Sequence, residues 1–356
     1  MIPLPWIGFL LLILTLLAFD LGVFHRRPHA QSPREALGWS ALWIALSLSF
    51  NVLVYFLYER NWLGVGREIG LDLDGSTAAL QFFTGYLVEL SLSLDNVFVI
   101  GLVISYFSVP LAYQHRVLFW GVLGALVLRG AMIAAGAALI ARFHWTIYVF
   151  GLFLVLTSVK LLVKSQDTID PERSLLVRVA RRLVPMTSEL HGDRFFVRVG
   201  GRRMMTPLFL VVLVVESSDV IFAVDSIPAI FAVTSDPFLV FTSNVFAILG
   251  LRSLYFALAP LMERFLYLKT SLVFILAFVG VKMLLNHHYP IPTVVSLAMI
   301  GGILAVGVGA SVLACRREAA RSASPAGPPA GVSPLGPDPQ GWRRDAEPRR
   351  HSGMLS

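Results

Sequence analysis

A chain of 356 residues that is 56% hydrophobic and only 14% charged, with a mean hydropathy of +0.74, has too few polar side chains to clothe a soluble globule, so its class is integral membrane. A formal charge of +7 and a pI near 9.8 do not argue for nucleic acid, because membrane proteins gather Arg and Lys in the loops that fix their orientation. The single cysteine, Cys315, excludes an internal disulfide and a thiolate metal site within one chain.

The first apolar run, 2–24, lacks a basic leader and a small-residue cleavage site, and Arg26 and Arg27 follow it; it is expected to be a retained span. Apolar runs of about twenty residues predict further spans, giving nine in all: 3–24, 37–58, 81–107, 116–140, 146–164, 206–232, 238–260, 266–286 and 291–315. The fold class is all-α, a polytopic membrane helix bundle. Alternating the loops puts Arg26, Arg27, Arg34, Arg116, Lys160, Lys164, eight arginines of 165–205, Arg264, Lys269 and seven arginines of the tail on one side. The other side receives Arg60, Arg67 and Arg142. The basic side is the cytoplasmic one, which predicts an outside N-terminus and an inside C-terminus.

The expected organisation is therefore two N-terminal spans and an outer loop (1–80), a first three-helix unit (81–164), a basic cytoplasmic loop (165–205), a second three-helix unit (206–290), a last span (291–315) and a tail (316–356). Within the loop, Arg194-Phe-Phe-Val-Arg-Val199, Gly200-Gly201 and Arg202-Arg-Met-Met-Thr206 predict a short β-hairpin. The tail is rich in Pro, Gly, Ser and Arg without an apolar period and is expected to be disordered. The plain reading of loop and tail is a topology anchor and a solvated extension; a partner or anionic-lipid site is the alternative.

The third and sixth spans share a pattern. Glu89 and Asp95-Asn96-Val97 in one match Asp219 and Asp225-Ser226-Ile227 in the other, at an offset of 130. Arg129 then matches Arg252 and Lys160 matches Lys282, at offsets of 123 and 122. Because the two units begin on opposite sides of the membrane, the repeat is inverted, and a pseudo-two-fold axis would lie in the membrane plane with a binding site at the midplane.

Glu89, Asp95, Glu216, Asp219 and Asp225 all fall in the middle halves of their spans. Each would cost roughly 2.5–3.5 kcal/mol if ionised and facing lipid, so they are expected to face inward and be protonated, paired or metal-bound. Ion pairs with Arg129 and Arg252 are the structural alternative; two arginines neutralise two acids and leave three. Asp20 lies near a span end, close in sequence to Arg26 and Arg27, and stays outside the site. Glu216 and Asp219 share a helix face, whereas a spacing of six turns Asp225 away from Asp219. Pro228 is expected to bend or unwind the sixth span and free the carbonyl oxygen of Val224. Asn96 and Ser226 add neutral oxygens, or make ordinary interhelical hydrogen bonds. None of the eight histidines is mid-span, and His287 and His288 read as an interfacial cap. An all-oxygen ligand set suits Mn²⁺, Mg²⁺ or Ca²⁺ better than Zn²⁺ or Cu⁺.

The stretch Glu89 to Asn96, the run from Thr206-Pro207 through Glu216, Asp219 and Phe222 to Ala229, and the segment Thr242 to Phe256 resemble the TerC family, including its Alx branch. The resemblance spans about residues 18–290. It implies an inner-membrane protein linked to tellurite resistance, manganese efflux and metal supply to exported enzymes, with the family's acidic positions falling on Glu89, Asp95, Glu216, Asp219 and Asp225. Tellurite is an anion that a carboxylate site repels, so that phenotype reads as indirect. The expected function is a non-enzymatic divalent cation transporter working by alternating access. Mn²⁺ is the expected ion and Ca²⁺ an alternative, with the bilayer and the ion as partners and no organic cofactor. Asp95 and Asp225 are expected at the centre of the site, with Glu89 and Asp219 completing it and Glu216 loading the ion or relaying protons. Two rivals are an intramembrane aspartyl hydrolase, whose Tyr-Asp and Gly-x-Gly-Asp contexts are missing here, and a membrane scaffold for a stress complex.

Overall fold

The computed structural model describes residues 4–22, 33–66, 70–163, 182, 185–187, 191–258, 268–285, 289 and 291–323. Its helices are α1 (Leu4–Gly22), α2 (Pro33–Glu59), α3 (Gly75–Tyr106), α4 (Leu111–Arg142), α5 (Thr146–Val163), α6 (Pro207–Phe231), α7 (Pro237–Leu258), α8 (Leu268–Leu285) and α9 (Thr293–Ala323). Each expected span is present among the described residues, and most ends fall within four residues of expectation. Seven are long and apolar enough to cross a membrane, and Leu4–Phe19 and Thr270–Leu285 are shorter apolar helices. The polytopic helical bundle is thus as the sequence reads. Arg26, Arg27, Lys164, most of 165–190, Arg264, His287, His288 and the tail beyond 323 lie outside the described residues. Residues 316–323, expected to belong to a disordered tail, instead continue α9: the run Arg316-Arg-Glu-Ala-Ala-Arg321 holds good helix formers, so the helix outlasts its apolar segment.

Packing ranks the helices. The apolar stretch of α7 is 89% buried and that of α9 only 17%, so α7 is central and α9 peripheral. The main interfaces are α5 with α8, α3 with α7, α2 with α7, α4 with α6, α2 with α3, α3 with α6 and α4 with α7. Exposed Val127 and Ile221 face away from the bundle, as lipid-facing side chains do. Exchanging α3 with α6, α4 with α7 and α5 with α8 turns the α3/α7 interface into α4/α6 and leaves α5/α8, α3/α6 and α4/α7 unchanged. These five interfaces map onto one another under the pairing read from the sequence, while those of α2 have no counterpart.

Both ends of this bundle are tied by polar devices. At one end lies the hairpin β1 (Phe196–Val199) and β2 (Arg202–Met205), antiparallel with Val199 opposite Arg202. Gly200 and Gly201 take φ of 57° and 79°, the two left-handed residues that a tight hairpin turn with right-twisted strands requires. The hairpin docks through Phe196 on Phe209 (ring centroids 4.7 Å apart), the Arg116 guanidinium over the Phe195 ring (4.8 Å), an Arg116–Asp193 ion pair and the Thr206 hydroxyl donating to the Arg194 carbonyl (2.7 Å). It therefore marks one end of α4 and α6.

At the opposite end Asp236, fully buried between α6 and α7, accepts from the Tyr58 hydroxyl (2.8 Å), the Leu71 amide (2.8 Å) and the Phe238 and Leu239 amides (2.9 and 3.2 Å). It caps α7 and clasps the end of α2 and the following loop with one carboxylate. Asp74 caps α3, accepting from Ser76 and from the Thr77 amide, and these bonds hold its carboxyl down to about 2.

Candidate cation site

The site is built where α3, α4, α6 and α7 meet. Arg129 of α4, 1% exposed, is the largest fully buried side chain among the described residues. Its Nη1 forms an ion pair with Glu89 Oε1 of α3, its Nη2 and Nε donate to Asp219 of α6 (2.7 and 3.1 Å), and Nη1 also donates to Ser226 Oγ (3.4 Å). Asn96 Nδ2 donates to the same Asp219 (3.1 Å). One guanidinium thus takes two carboxylates, an arrangement whose desolvation is offset by an acceptor on each of its three nitrogens.

Acceptors are left over. Glu89 Oε2, Asn96 Oδ1 and both carboxylate oxygens of Glu216 are buried with no hydrogen-bond donor. Glu216, 8% exposed, sits one turn from Asp219 on the hairpin side, close enough that the two repel. It lies against the bare backbone of Gly124 in α4, where a methyl group would overlap the carboxylate. Beside them a cavity of about 20 Å³ is lined by Asn96, Ser218, Asp219, Arg252 and apolar residues, and is just large enough for one water.

The positions differ from expectation in two respects. Asp95 and Asp225 do not form the centre: six residues at 1.5 Å per residue set each roughly 9 Å from Glu89 and Asp219, and in opposite directions, because α3 and α6 run antiparallel. Asp225 is half-buried and accepts from the Thr157 hydroxyl of α5 (3.3 Å), with Lys160 in electrostatic reach. Asp95 is half-buried on the hairpin side. The second difference is Pro228, which neither breaks nor unwinds α6; the helix runs unbroken to Phe231. One missing hydrogen bond costs less in a packed membrane helix than exposing several more backbone groups to hydrocarbon. Among the described residues no three His, Cys, Asp or Glu side chains converge in the preorganised manner of a resident metal centre. Two residues that sequence reasoning passed over belong here: Gly124, which makes room for Glu216, and Asp236, whose Ser-Asp-Pro setting is a helix-start signal.

A bundle of apolar helices around a buried cluster of carboxylates and arginine defines a polytopic membrane protein with an ionic core. Residues 74–319 match the integral membrane protein TerC family, and the chain belongs to that family. It is 50% identical over 311 residues to an "Uncharacterized membrane protein STKORF319" of Myxococcus xanthus (87% of this chain, 92% of that one). It is also 50% identical over 305 residues to the "Putative membrane-bound redox modulator Alx" of Salmonella typhi (85% and 92%), and 49% over 303 residues to the protein of the same name from Escherichia coli K12 (85% and 92%). No solved structure matches.

Proposed function

We propose that the protein exports a divalent cation, Mn²⁺ foremost with Ca²⁺ as competitor, by alternating access between the unit α3–α5 and the unit α6–α8. The observation that carries this reading is the set of buried oxygens without donors on Glu89, Asn96 and Glu216. With Arg129 and the cavity-lining Arg252 counted against Glu89, Asp219 and an ionised Glu216, the cluster carries one net negative charge. A divalent cation is drawn to that charge and supplies what the oxygens lack. Asp95 on the hairpin side and Asp225 on the other stand as relay carboxylates on either side of the centre. A link to redox state, as the relatives' name suggests, would run through the metal pool, since one cysteine provides no internal dithiol.

The test is ion flux in proteoliposomes. Mn²⁺ should move into the lumen through wild-type protein. Glu216→Gln and Asp225→Asn should each lower the rate at least tenfold while the protein accumulates normally. Wild-type vesicles that move neither Mn²⁺ nor Ca²⁺, or variants that transport normally, would sink the proposal.

A further inference from the structure

The hairpin at one end of α4 and α6 carries a charged face that cation transport leaves unused. Residues directly opposite each other in an antiparallel pair share a face, and the face alternates along each strand. The register therefore puts Phe196, Arg198, Arg203 and Met205 on one face, with Arg198 directly opposite Arg203. Met205 is 1% exposed and Phe196 stacks on Phe209, so this face lies against the bundle. Arg198 and Arg203 are nonetheless exposed, so they overhang its edge. Like charges set opposite each other repel across the strands. Neither arginine has a carboxylate partner among the described residues, nor have the exposed Arg194 and Arg202; Asp193, in the loop before β1, is taken by Arg116.

Depth identifies what meets this face. The base of the hairpin runs beside α4 rather than beyond it, because Phe195 touches both Trp120 (ring centroids 6.1 Å apart) and the Arg116 guanidinium. With 32 residues α4 is about 48 Å long against about 30 Å of hydrocarbon, so when centred in a bilayer it leaves about six residues at each end among the headgroups. Arg116 and Trp120 bracket that boundary. Trp120 and Phe196 stay 43% and 48% exposed there, as aromatic side chains at a membrane interface do.

We propose that the hairpin is a docking site for an anionic phospholipid of the leaflet on its side, with the headgroup phosphate held between Arg198 and Arg203 and an acyl chain beside Phe196. The phosphate relieves the repulsion between the two arginines, and each planar guanidinium offers it a pair of donors. Arg194 and Arg202 extend the positive field that favours a lipid of net negative charge over a zwitterionic one. The site needs neither a metal ion nor a transport cycle, so it stands or falls apart from the cation reading.

The experiment uses the full chain with Cys315→Ser in phosphatidylcholine nanodiscs that contain equal small fractions of spin-labelled phosphatidylglycerol or spin-labelled phosphatidylcholine. A bimane fluorophore at Val199→Cys, beside the arginine pair, reports the lipid next to it by quenching. A second at Tyr106→Cys, 64% exposed at the same end of the bundle, reports the leaflet in general. At Val199→Cys the phosphatidylglycerol probe should quench roughly threefold or more above the phosphatidylcholine probe, and at Tyr106→Cys much less. Added salt should reduce the excess. Arg198→Gln with Arg203→Gln should bring the ratio at Val199→Cys down to that at Tyr106→Cys, while Arg198→Lys with Arg203→Lys, which keeps both charges, should retain most of it. Equal ratios at the two reporters with the arginines intact, a ratio unchanged in the Gln pair, or a Lys pair as low as the Gln pair would each overturn the site. No preference for phosphatidylglycerol, together with a bimane shift on adding polyglutamate, would assign the face to an acidic protein segment and overturn the lipid assignment.

Discussion

Glu216 reaches its place only because Gly124 has no side chain, and this makes the pair a test of whether the carboxylate matters as a ligand or as filler. Gly124→Ala forces the carboxylate aside, an overpacking strain of about 1–3 kcal/mol. Transport should fall severalfold; Glu216→Asp, shorter by one methylene, should recover part of it when combined with Gly124→Ala while being harmful alone. Additive losses in the double variant, measured as Mn²⁺ flux, would show that the contact is not the cause. At this scale the sequence was informative about which residues are charged and buried, since lipid makes each such residue conspicuous. It was silent about partners: Arg129 could have paired within its own unit or across, and the structure has it doing both, with Glu89 and Asp219 together. Gly124 is one glycine among 28, and nothing in its neighbours marks it.

Among the elements, the hairpin was the most legible, because a Gly-Gly pair between two short arms containing β-formers permits few alternatives. Both glycines hold φ values that a β-branched side chain avoids, at roughly 1–2 kcal/mol per residue. Gly200→Val with Gly201→Val should open the turn and raise trypsin cleavage at Arg198 and Arg202 severalfold, while the melting temperature of the bundle hardly moves; unchanged cleavage would mean the turn is held by its docking alone. The start of α3 was harder to read. Asp72, Asp74, Ser76 and Thr77 have loop character, and the expected start at 81 falls six residues after the observed one, because Asp74 acts as a cap rather than as a loop residue. The unwinding expected at Pro228 does not occur, because burial among α6's neighbours keeps the helix intact to Phe231.

For the whole molecule, apolar run length was enough to count helices, and the matched charged positions were enough to suggest which helices exchange under the pairing. What could not be read was depth: the six-residue spacing sends Asp95 and Asp225 to opposite halves only once Glu89 and Asp219 are known to share a level. Orientation is a separate matter, and the excess of arginine on the hairpin side predicts that side to be cytoplasmic. In Cys315→Ser protein in intact cells, a cysteine at the exposed Trp62 should react with an impermeant thiol reagent and one at the exposed Val199 should not; the reverse labelling would invert the topology. The Asp236 clasp brings time into the picture. Tyr58 and Leu71 precede it by 178 and 165 residues, so at roughly 5–20 residues per second their polar groups leave the ribosome about ten to thirty seconds before the carboxylate that will satisfy them exists. Through that interval the nascent chain must keep this loop in water, and the end of the bundle can close only after α7 has been delivered.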